Sequence, residues 1–141
     1  MIIEKLEEIL NDSFAKSIIE LKLATERIIE GKGQGAGVFT VKYQILYIIA
    51  SNGKTSPQEL ITELKMAKSN LAIIAKTMVK DGLITQYKEE GNRKQIYYGI
   101  TMKGQEELKT KMDAINNMKS SANKEIIARL NKTVEGLKKV K

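Results

Sequence analysis

Apolar positions set the first element. Leu6, Leu10, Phe14, Ile18, Leu21 and Ile28 recur at helical spacing, and Ile2, Ile9, Ile19 and Leu23 widen the stripe. No Pro or Gly interrupts them before Gly31, so the pattern predicts one continuous helix over 2–30. Such a helix would be about 42 Å long, more than a small domain can cover. Its wide apolar stripe then needs a second copy of the chain, or else packs on its own domain with frayed ends. The following Gly-Lys-Gly-Gln-Gly-Ala-Gly, residues 31–37, has no strand before it and lacks a Gly-Lys-Ser/Thr ending. It therefore reads as a helix–helix connector and not as a phosphate loop.

The middle of the chain is punctuated more finely. Thr40 can cap a helix over 41–52 carrying Val41, Ile45, Ile48 and Ile49, which Asn52-Gly53 ends. Ser56, Pro57 and Glu59 form a capping box with Pro at the first helical position. The helix it opens runs to about Lys65 and buries Leu60, Ile61 and Leu64. After Met66-Ala67, a further helix from Lys68 to Asp81 turns Leu71, Ile74, Ala75 and Met78 inward, and Gly82 stops it. Leu83–Lys88 and Gln95–Thr101 read as two strands, with Ile96, Tyr98 and Ile100 alternating onto one face. Residues 89–94, Glu-Glu-Gly-Asn-Arg-Lys, form the polar hairpin tip between them. Thr101 caps a helix carrying Leu108, Met112 and Ile115, and a last helix over 122–139 carries Ile126, Leu130, Val134 and Leu137.

Composition adds mostly exclusions. At 141 residues with 42% apolar side chains, the chain is expected to be a single domain, 1–141. The expected division is a core at 38–104 flanked by dimerisation helices at 1–30 and 105–141. With no Cys and no His, disulfides, thiolate or imidazole metal sites and the usual catalytic triads drop out. No enzyme activity, metal or cofactor is expected. No apolar run approaches a membrane span, and Glu4, Glu7 and Glu8 stand where a leader would be basic and apolar. The expected location is the cytoplasm, with no membrane partner.

The net charge is +7, unevenly spread. Residues 1–30 hold 4 basic and 7 acidic side chains, whereas 31–94 and 95–141 each hold 10 basic and 5 acidic. A basic domain suits an acidic partner, and the first helix is not the surface that meets it.

The order helix, capped helix, helix, strand, charged tip, strand predicts a mainly α fold with a small β hairpin. That is a winged helix-turn-helix flanked by N- and C-terminal dimerisation helices. Its third helix suits a major groove of double-stranded DNA. The outer stripe of 68–81 holds Lys68, Ser69, Asn70, Ala72, Ile73, Lys76, Thr77 and Lys80. Asn70 can pair with adenine, Lys76 can meet guanine or phosphate, and Ser69 and Thr77 can donate to either. Ile73 either touches a thymine methyl or packs partly buried. Arg93 and Lys94 at the tip suit a minor groove and a phosphate.

Residues 40–104 resemble the MarR family of winged-helix transcriptional regulators. The resemblance lies in Leu64–Ile84 and in Asn92–Gly104, closing with Ile100-Thr101-Met102-Lys103-Gly104. It implies a homodimer with interleaved first and last helices that binds a pseudo-palindromic operator, usually as a repressor. It also implies release by a small aromatic effector in a cleft that Phe14, Tyr43 and Tyr47 would border, unless these are core aromatics. By position, the resemblance places Ser69, Asn70, Ile73, Lys76 and Thr77 on the recognition helix and Arg93 at the wing arginine. Three positions depart from the family pattern. Ala67 replaces a capping Ser or Thr, Ile73 stands where Arg is frequent, and Asn92 replaces the acidic residue that would orient Arg93. Weaker sequence discrimination with retained electrostatic affinity follows. Phosphate contacts are expected from Lys54, Lys65, Lys68, Lys76 and Lys94. The competing reading is a winged-helix module that binds protein and no DNA, for which Ile73 and the pair Glu89-Glu90 speak.

Overall fold

The computed structural model describes residues 5–29, 40–117 and 124–140, with the backbone alone of Asn92 and Arg93. The connector at 31–37 and the outermost residues of the first and last expected helices lie outside the described residues.

The N-terminal apolar stripe is carried by two helices, α1 (Leu6–Asn11) and α2 (Phe14–Ile29). The expected single helix breaks at Asn11-Asp12-Ser13, three residues whose short polar side chains compete with helical bonds. Asp12 is extended, with φ −159°. Ser13 restarts the helix: its Oγ accepts from Lys16 N–H at 3.1 Å and donates to Ile9 O at 2.8 Å. This capping signal was present in the sequence, although neither Pro nor Gly marks the break.

The central unit holds α3 (Val41–Asn52), α4 (Pro57–Leu64) and α5 (Lys68–Lys80), then the hairpin β1 (Ile84–Glu89) and β2 (Asn92–Ile100). Gly53 ends α3 at φ 80°, a value that suits a residue without Cβ. Glu59 N–H donates to Ser56 Oγ at 3.2 Å, which is the Ser56 half of the capping box. Ile45, Leu46 and Ile49 of α3, Leu60 of α4 and Leu71, Ala75 and Met78 of α5 meet Leu83, Ile84 and Tyr98 of the hairpin in one buried core. Each fully buried aliphatic side chain there contributes about 2 kcal/mol of transfer free energy. The strands are antiparallel, with Ile84 opposite Ile100 and Lys88 opposite Ile96. Thr55 adds a single bridge to the far side of β2, giving and receiving backbone bonds with Tyr98 at 3.1 and 2.8 Å.

The helix α6 (Met102–Asn117) leaves the hairpin at Thr101, whose Oγ accepts from Gly104 N–H at 3.0 Å. One residue, Leu83, joins α5 to the start of α6. Leu83 N–H donates to Met78 O at 3.0 Å and Gly82 N–H to Val79 O at 3.0 Å, a Schellman end to α5. Leu83 O in turn accepts from Thr101 N–H at 3.1 Å. The last helix is α7 (Lys124–Lys138).

Within one protomer, α1, α2 and α7 bury no residue. Ile9, Leu10, Ile19, Leu23 and Ile28 are exposed on the first pair, as are Ile126, Leu130 and Val134 on the last helix. No described helix is long and apolar enough to cross a membrane.

Candidate nucleic-acid interface

The turn before α5 is tight. Lys65 closes α4 in the left-handed region, with φ 54° and ψ 44°. Ala67 then starts α5 without a side-chain cap, so the missing Ser or Thr has no substitute among the described bonds at that end. Burial of Leu71, Ala75 and Met78 fixes the rotation of α5 about its axis. That rotation leaves Lys68, Ser69, Asn70, Ala72, Ile73, Lys76, Thr77 and Lys80 exposed, and α5 contains no acidic side chain. The expected face is therefore assembled on one helix.

Two of its members are defined further. Ile73 is 67% exposed, so the reading as a packing residue of its own protomer is excluded. Thr77 Oγ donates to Ile73 O at 3.2 Å, which leaves the hydroxyl oxygen free to accept.

The wing differs from expectation at its tip. Only Glu90 and Gly91 lie between the strands, and Gly91 turns the chain at φ 89°. Arg93 and Lys94, expected in the tip, belong to β2. Two-residue hairpin loops favour positive φ, which Gly91 supplies and which brings Asn92 straight into the ladder. Lys94 is exposed; the side chain of Arg93 lies outside the described residues. A cleft of about 420 Å³ separates α5 from the hairpin, with Lys68 and Lys76 on one wall and Gln86 and Ile96 on the other.

Lys54, expected as a phosphate contact, is committed elsewhere. Its ammonium pairs with Glu89 and lies 4.7 Å from the Tyr97 ring centroid. The Glu89 hydrogen bond raises the Lys54 pKa above its ordinary 10.5. Nothing in the spacing of residues 54 and 89 signals this pair, since it depends on the hairpin folding back on the α3–α4 turn.

The three expected effector-cleft aromatics do not share one cavity. Tyr43 lines a cleft of about 560 Å³ between α3 and α6, with Lys103, Glu106, Glu107, Thr110 and Lys111. Lys42 and Lys111 flank its ring at 5.2 and 4.9 Å, and Lys42 also pairs with Glu107 at 3.2 Å. Phe14, 62% exposed, and Tyr47, 54% exposed, do not line that cleft. Nor are they core aromatics of the protomer.

A helix-turn-helix with a two-stranded wing, flanked in the chain by helices that a single protomer leaves uncovered, defines a winged-helix fold. Residues 40–96 match the model of the MarR family. No curated protein matches the sequence. Solved structures match the whole architecture. A transcriptional regulator of Thermotoga maritima is 23% identical, with a TM-score of 0.60 over 89% of this chain and 91% of its own. Wild-type MarR of E. coli, in the apo form, is 11% identical, with a TM-score of 0.67 over 89% and 97%. BpsR of Bordetella bronchiseptica, whose DNA binding is regulated by 6-hydroxynicotinic acid, is 7% identical, with a TM-score of 0.69 over 92% and 96%.

Proposed function

We propose that the protein is a cytoplasmic, sequence-specific DNA-binding repressor that acts as a homodimer on a pseudo-palindromic operator. The observation that carries this reading is the α5 face: three lysines, three small polar side chains and Ile73, all exposed, with no acid among them. Two copies of α5 would enter successive major grooves about 34 Å apart. Asn70 and Ile73 would read base edges, while Ser69 and Thr77 meet bases or phosphates. Lys68, Lys76 and Lys94 would neutralise phosphates and make affinity fall with salt, with Arg93 beside them on the wing. The uncovered apolar faces of α1, α2 and α7 supply the dimer contact that such spacing requires.

Release by a small aromatic effector is part of the proposal. The Tyr43 cleft between α3 and α6 offers one ring, two lysines, Lys103 and Lys111, and two acids, Glu106 and Glu107. An aromatic acid, the chemistry that regulates the Bordetella protein, would stack on the Tyr43 ring with its carboxylate towards a lysine. Phe14 and Tyr47 would reach an effector only through the partner copy.

Fluorescence anisotropy with a duplex from upstream of its own gene and a random duplex, at two salt concentrations, tests the reading. Tighter binding to the upstream duplex that weakens with salt is expected. Lys76→Ala removes one phosphate contact per protomer and should lower the slope of log affinity against log salt by about 1.8 for the dimer. Retention of neither duplex by a dimeric protein would place a protein-binding winged helix first.

A further inference from the structure

The turn between α3 and α4 touches the wing at two heights. At the base, the backbone of Thr55 pairs with Tyr98 of β2. Nearer the tip, Lys54 grips Glu89 and covers the Tyr97 ring, which faces Tyr87 across the ladder at a centroid distance of 6.1 Å.

Glu89 stands where the ladder slips. Lys88 lies opposite Ile96, but Glu89 lies opposite Asn92, so residues 93–95 of β2 have no counterpart on β1. A bulge bends a hairpin and increases its twist. The direction of the part beyond it is then set less by the ladder than by contacts from outside. Lys54 is such a contact, and it comes from a fixed turn: Gly53 N–H bonds Ile49 O at 2.8 Å on one side, and Thr55 bonds Tyr98 on the other. Both partners are partly exposed, at 48% and 38%, so the contact is open to screening by salt.

We propose that Lys54 is a positioning residue for the wing. By holding Glu89 it aims the start of β2, with Arg93 and Lys94, at the DNA. It thereby serves the orienting role for which Asn92 lacks a charge. This rests on the DNA-binding reading above.

The idea has a distinctive sign. Deleting an acid beside a polyanion should tighten binding on Coulomb grounds alone. If Glu89 holds the wing, deleting its charge weakens binding instead. Glu90, exposed at the tip, is the control.

The test is fluorescence anisotropy on the full chain with the upstream and random duplexes at one salt concentration. Glu89→Gln should lose about 3-fold in affinity for the upstream duplex, the scale of a half-exposed ion pair. Glu90→Gln should bind as well as the parent or better. Lys54→Arg should retain affinity, and the swap Lys54→Glu with Glu89→Lys should recover it at unchanged net charge. Equal melting temperatures across the set would separate positioning from loss of fold. Glu89→Gln binding as tightly as Glu90→Gln would overturn the proposal. If the parent binds neither duplex, the DNA reading fails by itself, and amide hydrogen exchange in the free protein then decides. Faster exchange over 92–95 in Glu89→Gln supports the grip; unchanged exchange overturns it.

Discussion

Gly104→Ala is the sharpest stability test of the architecture. A Cβ at Gly104 would lie 2.2 Å from Leu83 O, 2.8 Å from Ile100 Cγ1 and 3.2 Å from the Leu83 carbonyl carbon. Ordinary carbon–oxygen contact begins near about 3.3 Å, so α6 must retreat by about 1 Å. Leu83 O cannot yield freely, because Thr101 N–H and the Thr101 hydroxyl hold it at 3.1 and 3.0 Å. Overpacking of this kind costs up to about 3 kcal/mol. Weakening one of those hydrogen bonds adds about 1 kcal/mol. The helix preference of Ala over Gly returns about 1 kcal/mol. The net expected loss is about 3 kcal/mol, or about 10 °C in melting temperature for a chain of this size. Urea unfolding at fixed protomer concentration measures it, with the slope unchanged and the midpoint lowered. Gly136→Ala on α7 is the companion, since its Cβ would meet nothing within 4 Å of the protomer. A Gly104→Ala midpoint indistinguishable from the parent would refute the claim that α6 is wedged against the Leu83 carbonyl.

Other predictions rest on single groups. Thr55 Oγ is fully buried without a hydrogen-bond partner, so Thr55→Val should stabilise the fold by about 1 kcal/mol in the same urea assay. Burial raises the Tyr98 pKa above 10.0, so stability should be full below that pH and fall as pH rises past it, when the unfolded phenol ionises first. Tyr98→Phe should reduce that alkaline slope; the raised pKa of Lys54, held by Glu89, leaves a residue of it above pH 10.5. Ile19→Asp and Leu130→Asp should each shift the protein towards monomers in sedimentation velocity while retaining the helical circular dichroism of the central unit.

The legible parts of the sequence were those governed by local chemistry. Ser56-Pro57 started α4, Gly82 stopped α5, and the spacing of Leu71, Ala75 and Met78 settled which face of α5 looks outward. Three features were harder to read. The break at Asp12-Ser13 was written as a cap inside an apolar stripe, where periodicity outweighed the turn residues. The hairpin tip is shorter than the charged run 89–94 predicts, because such a run reads as loop until a left-handed Gly91 shows how short the loop can be. The bridge of Thr55 to Tyr98 and the pairing of Lys54 with Glu89 join residues 43 and 35 positions apart in the chain, a relation that no spacing rule contains. The Tyr43 cleft was half legible: the aromatic could be named, but its lysine flanks come from α3 and α6 together.

The placement of Leu83 has a mechanical consequence. Its N–H closes α5 and its carbonyl seats α6, so the two helices share a fulcrum one residue wide. At 16 residues, α6 is a lever arm of about 24 Å. A rotation of about 5° at the fulcrum carries its far end through about 2 Å, by the helical rise alone. Both bonds at the fulcrum belong to one residue, whose two adjacent peptide groups meet at the Leu83 Cα.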